Sequence, residues 1–428
     1  MRYFRILICV ALASVCGLAQ GSSNPKQRAR EARDLVKQGS DAIPKLKAML
    51  SDPVPDVRVE AVKAIVEIDT EASLDPLVQA TRDNDEEVQI RATDGLVNFY
   101  LPGYVKNGLS ASISRMGNVI KSRFTDTDDQ VIPPYVQVRP EVIEALGKLA
   151  RGAISMDARA NAARAVGILR GKAAVPDLIQ ALHSKDDRLM YESLIALQKI
   201  KDPSAGPSIA FVLGDLDEKV QAAAIETAGL LRSREALPQL RAVLSDPPST
   251  KVERAALTSI AMIPDPASKA IYERYLQNKD DGLRAAAAEG FARLKDPADL
   301  PMLEKAFKDE RKRPAQLADA FALVMLGRTG VSQFSPLRFL IDTLNSSAWS
   351  GVARAYLIEA ARDPAVLRPL EQALKAGTKE EKIELSRVLA ASGDKQTVPY
   401  LDDLSHDPDN EVALAALNAS RTLKARLP

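Results

Sequence analysis

Apolar and polar positions in this chain follow a helical rhythm set inside a longer beat. Leu189, Leu194, Leu197 and Ile200 recur at near-helical spacing and predict a helix with one buried stripe. Lys201-Asp202-Pro203 stops that helix, and a second apolar run, Pro207-Ser-Ile-Ala-Phe-Val-Leu, follows it. The pair then repeats. Pro176, Pro207 and Pro238 stand 31 residues apart, Ala270 holds the next beat, and Pro301 follows. Pro44, Pro76, Pro140, Pro336, Pro369 and Pro399 fill the same slot, each opening a second helix, where a missing N–H costs nothing in the first turn. An apolar residue marks each alanine-rich first helix: Val57, Val88, Ala158, Leu189, Val220, Val252, Leu283, Val352, Ile383 and Val412.

Two short helices cannot bury their apolar faces alone, so units repeated at this period must stack into one continuous core. The expectation is an all-α fold, an α-solenoid of about eleven helix pairs forming a curved rod roughly 100 Å long. Asn24 to Lys37 is mostly charged and suits a polar end, and a last unpaired helix is expected near Asn410 to Lys424. Pro264-Asp265-Pro266, Lys295-Asp296-Pro297 and Arg362-Asp363-Pro364 repeat the helix stop, with the aspartate placed to cap the next helix.

One interval breaks the beat. Pro76 to Pro140 spans two periods, while Val88 marks a first helix without a second in its expected place, so residues 101–139 are extra to the repeats at 24–100 and 140–428. Within them Leu109, Ile113, Met116, Ile120 and Phe124 share one helical face, and Lys106, Arg115, Lys121 and Arg123 add positive charge. Pro133 and Pro134 keep the following stretch extended. Such a basic amphipathic helix either covers apolar surface of the solenoid or grips a protein or a lipid surface. Insertions in solenoids often lie on the binding face, so these residues, with Tyr104 and Tyr135 at the two feet, are the first candidate contact.

Composition adds a compartment. Arg2 and Arg5, the apolar stretch Ile6 to Cys16 and the small residues Gly17-Leu18-Ala19 form the pattern of an export signal over residues 1–19, cleaved after Ala19. Both cysteines, Cys9 and Cys16, lie inside it, so the mature chain is expected to lack disulfides and thiolate metal sites, in a periplasmic or secreted setting. Lipid attachment at Cys16 is the alternative, although Val15 is bulkier than the residue usual there. Losing Arg2 and Arg5 leaves 56 bases against 57 acids, which steers the chain to no nucleic acid.

Units such as Asp157 to Leu169 followed by Ala174 to Leu182 resemble HEAT repeats of the short kind named after phycobilisome lyases. The resemblance covers nearly the whole mature chain and implies a scaffold whose second helices line a concave, partner-binding face. Counting from each proline, that face would present Gln180, His183, Arg241, Glu273, Arg274, Glu304, Lys305 and Lys308, mixed in charge and able to pair between units. Deoxyhypusine hydroxylases of similar repeats hold iron with His-Glu pairs, but here Ser184 follows His183 and Asp407 follows His406. The single tryptophan, Trp349, is read as a loop anchor. The expectation is therefore a non-catalytic protein that needs no cofactor or metal and binds a protein partner, with contact to a membrane surface as the alternative and an enzyme of the lyase-like HEAT group as the weaker one.

Overall fold

The computed structural model describes residues 24–105 and 131–427; the stretch 1–19 expected to be an export signal and most of the expected insertion, 106–130, lie outside them. Every regular element among the described residues is helical, in two layers. The first layer runs α1 (Pro25–Asp34), α3 (Pro55–Ile68), α5 (Glu86–Tyr100), α7 (Met156–Ile168), α9 (Asp187–Ile200), α10 (Glu218–Leu230), α12 (Thr250–Met262), α14 (Asp281–Leu294), α16 (Arg313–Met325), α18 (Ser350–Ala360), α20 (Lys379–Ser392) and α22 (Asn410–Arg426), each packed on the next. The second layer is α2 (Ile43–Met49), α4 (Leu74–Ala80), α6 (Pro140–Gly152), α8 (Val175–Ala181), a 3-10 segment Pro203–Gly214, α11 (Leu237–Ser245), α13 (Lys269–Tyr275), α15 (Leu300–Asp309), α17 (Pro336–Thr343), α19 (Pro364–Ala376) and α21 (Val398–Leu404). The fold is thus the expected α-solenoid of eleven helix pairs with one further helix.

First helices are alanine-rich because each is enclosed by two neighbours and a second helix. Ala160, Ala162, Ala163 and Ala165 of α7 and Ala285 to Ala288 of α14 are all buried. Glycine brings some pairs closer still. A Cβ on Gly167 would stand 2.7 Å from the Ala196 Cα, and one on Gly229 would stand 2.7 Å from the Ser259 Cα. Asp363 caps α19 as expected, accepting from the Ala365 N–H at 2.9 Å, whereas Asp265 and Asp296 accept from Ala267 at 3.1 Å and Ala298 at 3.0 Å in short 3-10 turns that precede α13 and α15.

Two proline slots behave differently from expectation. Pro207 lies inside the 3-10 segment that begins at Pro203 and opens no α-helix, although Pro297 and Pro301, at the same spacing, lead into one. Pro369 falls within α19, which opens five residues earlier at Pro364.

Polar side chains tie the units together along two lines. Between first helices, Asn161 donates to Asp94 at 3.0 Å, Arg164 Nε to Glu192 at 3.0 Å, and Gln198 to Thr227 at 3.1 Å, all largely buried. At the N-terminal ends of the first helices, Arg28 pairs with Asp52, Arg58 with Asp83, Arg284 with Glu310 and Lys382 with Asp407. Each of these reaches forward 24–26 residues into the next unit.

The insertion leaves and returns at the C-terminal ends of first helices. Val105 donates its N–H to Asn98 Oδ1 at 2.9 Å, Ile132 to the Ile168 carbonyl at 3.0 Å, and Arg139 to Tyr100 Oη at 3.1 Å. Buried Ile132, with Val136 and Val138 against the core, anchors the returning strand of chain. α6 then takes the vacant second-layer place between α4 and α8.

Candidate functional site

Several first helices end on a left-handed residue with a long basic side chain. Arg170, Lys201, Arg232 and Lys295 have φ of 49°, 57°, 52° and 54°. A cation there faces the negative end of the helix dipole, which offsets part of the backbone cost. From α10 to α18 these ends converge. Arg232, just past α10, donates to Glu359 of α18 at 3.3 Å across 127 residues of chain. Arg293 of α14 donates from Nε and Nη2 to both Glu359 oxygens at 2.9 and 2.8 Å, and from Nη1 to Glu289 at 3.0 Å. Tyr356 Oη donates to Glu289 at 2.7 Å, while its ring stacks on Phe321 of α16 at 4.6 Å. α18 thereby reaches back past α16 to α14 and α10, and the bend closes on the first-helix side.

The bend encloses an open cleft of about 500 Å³ whose polar lining is Arg232, Arg293, Lys295, Glu359, Arg362 and Asp363. Burial works to raise the Glu359 carboxyl, but the hydrogen bonds and charge of Arg293, with Arg232 and Arg362 behind it, hold it below its ordinary value. Burial together with the Glu289 carboxylate pushes the Tyr356 phenol well above its own. Among the described residues no group of three or more His, Cys, Asp or Glu is arranged to hold a metal ion.

A second surface lies at the opposite ends of the helices, on the turns that lead from one unit to the next. Ile154, between α6 and α7, and Met156, the first residue of α7, are 59% and 46% exposed. Phe211 of the 3-10 segment is 52% exposed, and Leu216 beyond it is completely so. His183, between α8 and α9, joins them: its ring stacks on Phe211 at 4.4 Å, and neighbouring Ser184 Oγ approaches Met156 Sδ at 4.0 Å. Four large apolar side chains from two places along this edge, linked through His183 and Ser184 on the turn between them, make one strip, which a solvated edge has no need of.

The residues expected from sequence are distributed differently. Lys106, Leu109, Ile113, Arg115, Met116, Ile120, Lys121, Arg123 and Phe124 lie outside the described residues. Tyr104 packs partly buried against the core, and Tyr135 is half exposed on the returning strand of chain. Gln180, Glu273, Arg274, Lys305 and Lys308 are exposed on second helices or their ends. Arg241 donates to Asp265 and, at 2.9 Å, to Ser268, and Glu304 accepts from Arg328 Nε at 2.8 Å. These are pairs between units. None of the expected second-helix residues lines the cleft, because over α10 to α18 the first helices, not the second, face the inside of the bend. Of the expected set, His183 alone is part of the apolar strip.

Arg232, Lys295 and Arg362 escaped the sequence reading although their signal was present: a basic residue recurs immediately before the turn that ends a first helix. Phe211 and Leu216 escaped because in a run of apolar residues nothing distinguishes the outward ones once the helix is 3-10 rather than α.

The pattern for HEAT repeats matches residues 13–97, 207–271 and 247–324, and the pattern for the PBS lyase HEAT-like repeat matches 158–184. No curated protein matches the chain. Among solved structures, the CpcE and CpcF complex of phycocyanin lyase from a Nostoc species is 17% identical, with 61% of this chain and 90% of that one covered and a TM-score of 0.36. Human deoxyhypusine hydroxylase with glycerol is 19% identical over 67% of this chain and 96% of that one, TM-score 0.27. Kap121p bound to Pho4p is 15% identical over 94% of this chain and 56% of that one, TM-score 0.39. With two repeat patterns matched along a two-layer stack of helix pairs, the chain is a HEAT-repeat protein with a unit of the phycobilisome-lyase-like type.

Proposed function

We propose that this protein is an exported, non-catalytic scaffold that holds a protein partner, with the insertion at 101–139 as an added contact. The observation that carries this reading is the apolar strip of Ile154, Met156, Phe211 and Leu216, joined through His183 and Ser184 on the turn between them. Large side chains held in place by a scaffold lose little freedom on binding, which suits a docking surface. Pairs between units, such as Asn161 with Asp94 and Gln198 with Thr227, support the same reading, since they commit buried polar groups to holding the stack together.

The test is capture from an envelope extract by the full chain and by a Phe211→Asp/Leu216→Asp variant. Both side chains point outward, so the variant keeps its helical circular dichroism and thermal midpoint. The expected result is a partner retained by the wild type and reduced at least tenfold by the variant. Equal capture by both, or flotation of the chain with anionic vesicles in the absence of protein, overturns the reading in favour of the insertion or of a membrane surface. Mass spectrometry of the mature N-terminus checks export: a chain beginning at Gln20 agrees, and an uncleaved chain does not.

A further inference from the structure

We infer that the cleft enclosed by α10, α14 and α18 is a binding site for an acidic peptide segment, reading carboxylates through Arg232, Lys295 and Arg362. This deepens the scaffold reading and rests on it, but the residues concerned lie on the other edge of the solenoid from the apolar strip.

The argument starts from which charges are already engaged. Glu359 is saturated by Arg293 and Arg232. Asp363 serves as the cap of α19, accepting from the Ala365 N–H. The Arg293 guanidinium is directed at Glu359, Glu289 and the Ala261 carbonyl. What remains is cationic: Lys295 and Arg362 are exposed on the cleft with no ion pair among the described residues, and Arg232 makes one long contact. A basic residue at a helix end is ordinarily a complement to the helix dipole, and Arg170 and Lys201 stand in the same position in their own units. Lys295 and Arg362 differ in that the bend gathers them, from separate units, around one concavity. Low-dielectric walls around like charges raise the local concentration of the opposite charge.

Shape separates a peptide from a small anion. The three cations come from the ends of α10, α14 and α18, which stand two units apart in the stack, so they belong to separate helices and not to one anion-binding loop. An extended chain sets alternate side chains about 7 Å apart and can therefore offer carboxylates to cations on more than one of these helices. Arginine meets a carboxylate through two parallel hydrogen bonds, and here the ligand exchanges water for a partly enclosed site. A cleft of about 500 Å³ holds a few residues of such a segment.

The experiment measures fluorescence anisotropy of a labelled hexaglutamate peptide with the full chain at low salt. Saturable, salt-sensitive binding is expected, weakened at least tenfold by Lys295→Glu/Arg362→Glu and less than twofold by Lys305→Glu/Lys308→Glu, which changes the net charge equally away from the cleft. Millimolar inorganic phosphate should leave the peptide bound. Absence of binding, equal loss in both variants, or displacement by phosphate at peptide concentrations overturns the inference. The Phe211→Asp/Leu216→Asp variant keeps hexaglutamate binding, so failure of partner capture and failure of the cleft are read separately.

Discussion

At the scale of single residues, the most consequential charge is one that makes no ion pair. Asp319 of α16 is 3% exposed, and burial, with Glu310 beside it, pushes its carboxyl up to about 8; Arg284 opposes but is held by Glu310. An unfolded aspartate titrates near 4. Between those values the folded chain keeps a proton that the unfolded chain has lost, so the contribution of this one group is most favourable below about pH 4, declines as pH rises through the window and levels off above about 8. Asp319→Asn removes this slope, and urea melts should show its stability relative to the wild type about 1–2 kcal/mol greater at pH 8 than at pH 5. An unchanged slope would mean that the carboxyl is ionised in the fold. None of this is legible in Leu317-Ala-Asp-Ala-Phe321, where one acid interrupts an apolar run without saying whether it faces water. The forward-reaching pairs such as Arg58 with Asp83 are more nearly legible, since base and acid recur at the repeat period.

At the scale of helices, spacing between neighbours is set by what is missing from their contact faces. Replacing Gly167 by alanine gains up to about 1 kcal/mol in helix propensity. The added Cβ, however, meets the Ala196 backbone at 2.7 Å, and backbone cannot swing aside. Overpacking costs about 1–3 kcal/mol, so Gly167→Ala should destabilise, while Gly351→Ala in α18, with open space around it, should stabilise by a few tenths to 1 kcal/mol. Thermal melts of the two variants check the opposite signs. The helices themselves were readable from proline, aspartate and alanine, because capping and burial act locally. The 3-10 form of Pro203–Gly214 was not, because the period carries no information about how tightly a turn is wound.

At the scale of the molecule, the period specifies that units stack but not the angle between them. That angle depends on contacts such as Arg293 with Glu359, which join helices two units apart and leave no trace in a 31-residue pattern. The family resemblance assigned the inner face to second helices; between α10 and α18 the buried network draws the first helices inward instead. Glu359→Gln leaves Arg293 and Arg232 without a full counter-charge, and removing one partner of a buried pair typically costs about 3 kcal/mol. The expected outcome in solution scattering is a larger radius of gyration with unchanged helicity. An unaltered radius would assign the bend to apolar packing alone.

The contact between Arg232 and Glu359 also changes how the chain should come apart. A solenoid in which each unit touches only its neighbours unravels from its ends like a zip. Joining residues 127 apart turns the span from α10 to α18 into a closed loop, which has to lose all its units together or none. The only tryptophan, Trp349, sits at the start of α18, the helix that closes the loop. Its fluorescence therefore reports one cooperative block, and in a denaturant titration it should change later and more steeply than circular dichroism, which also records the units before α10 as they fray.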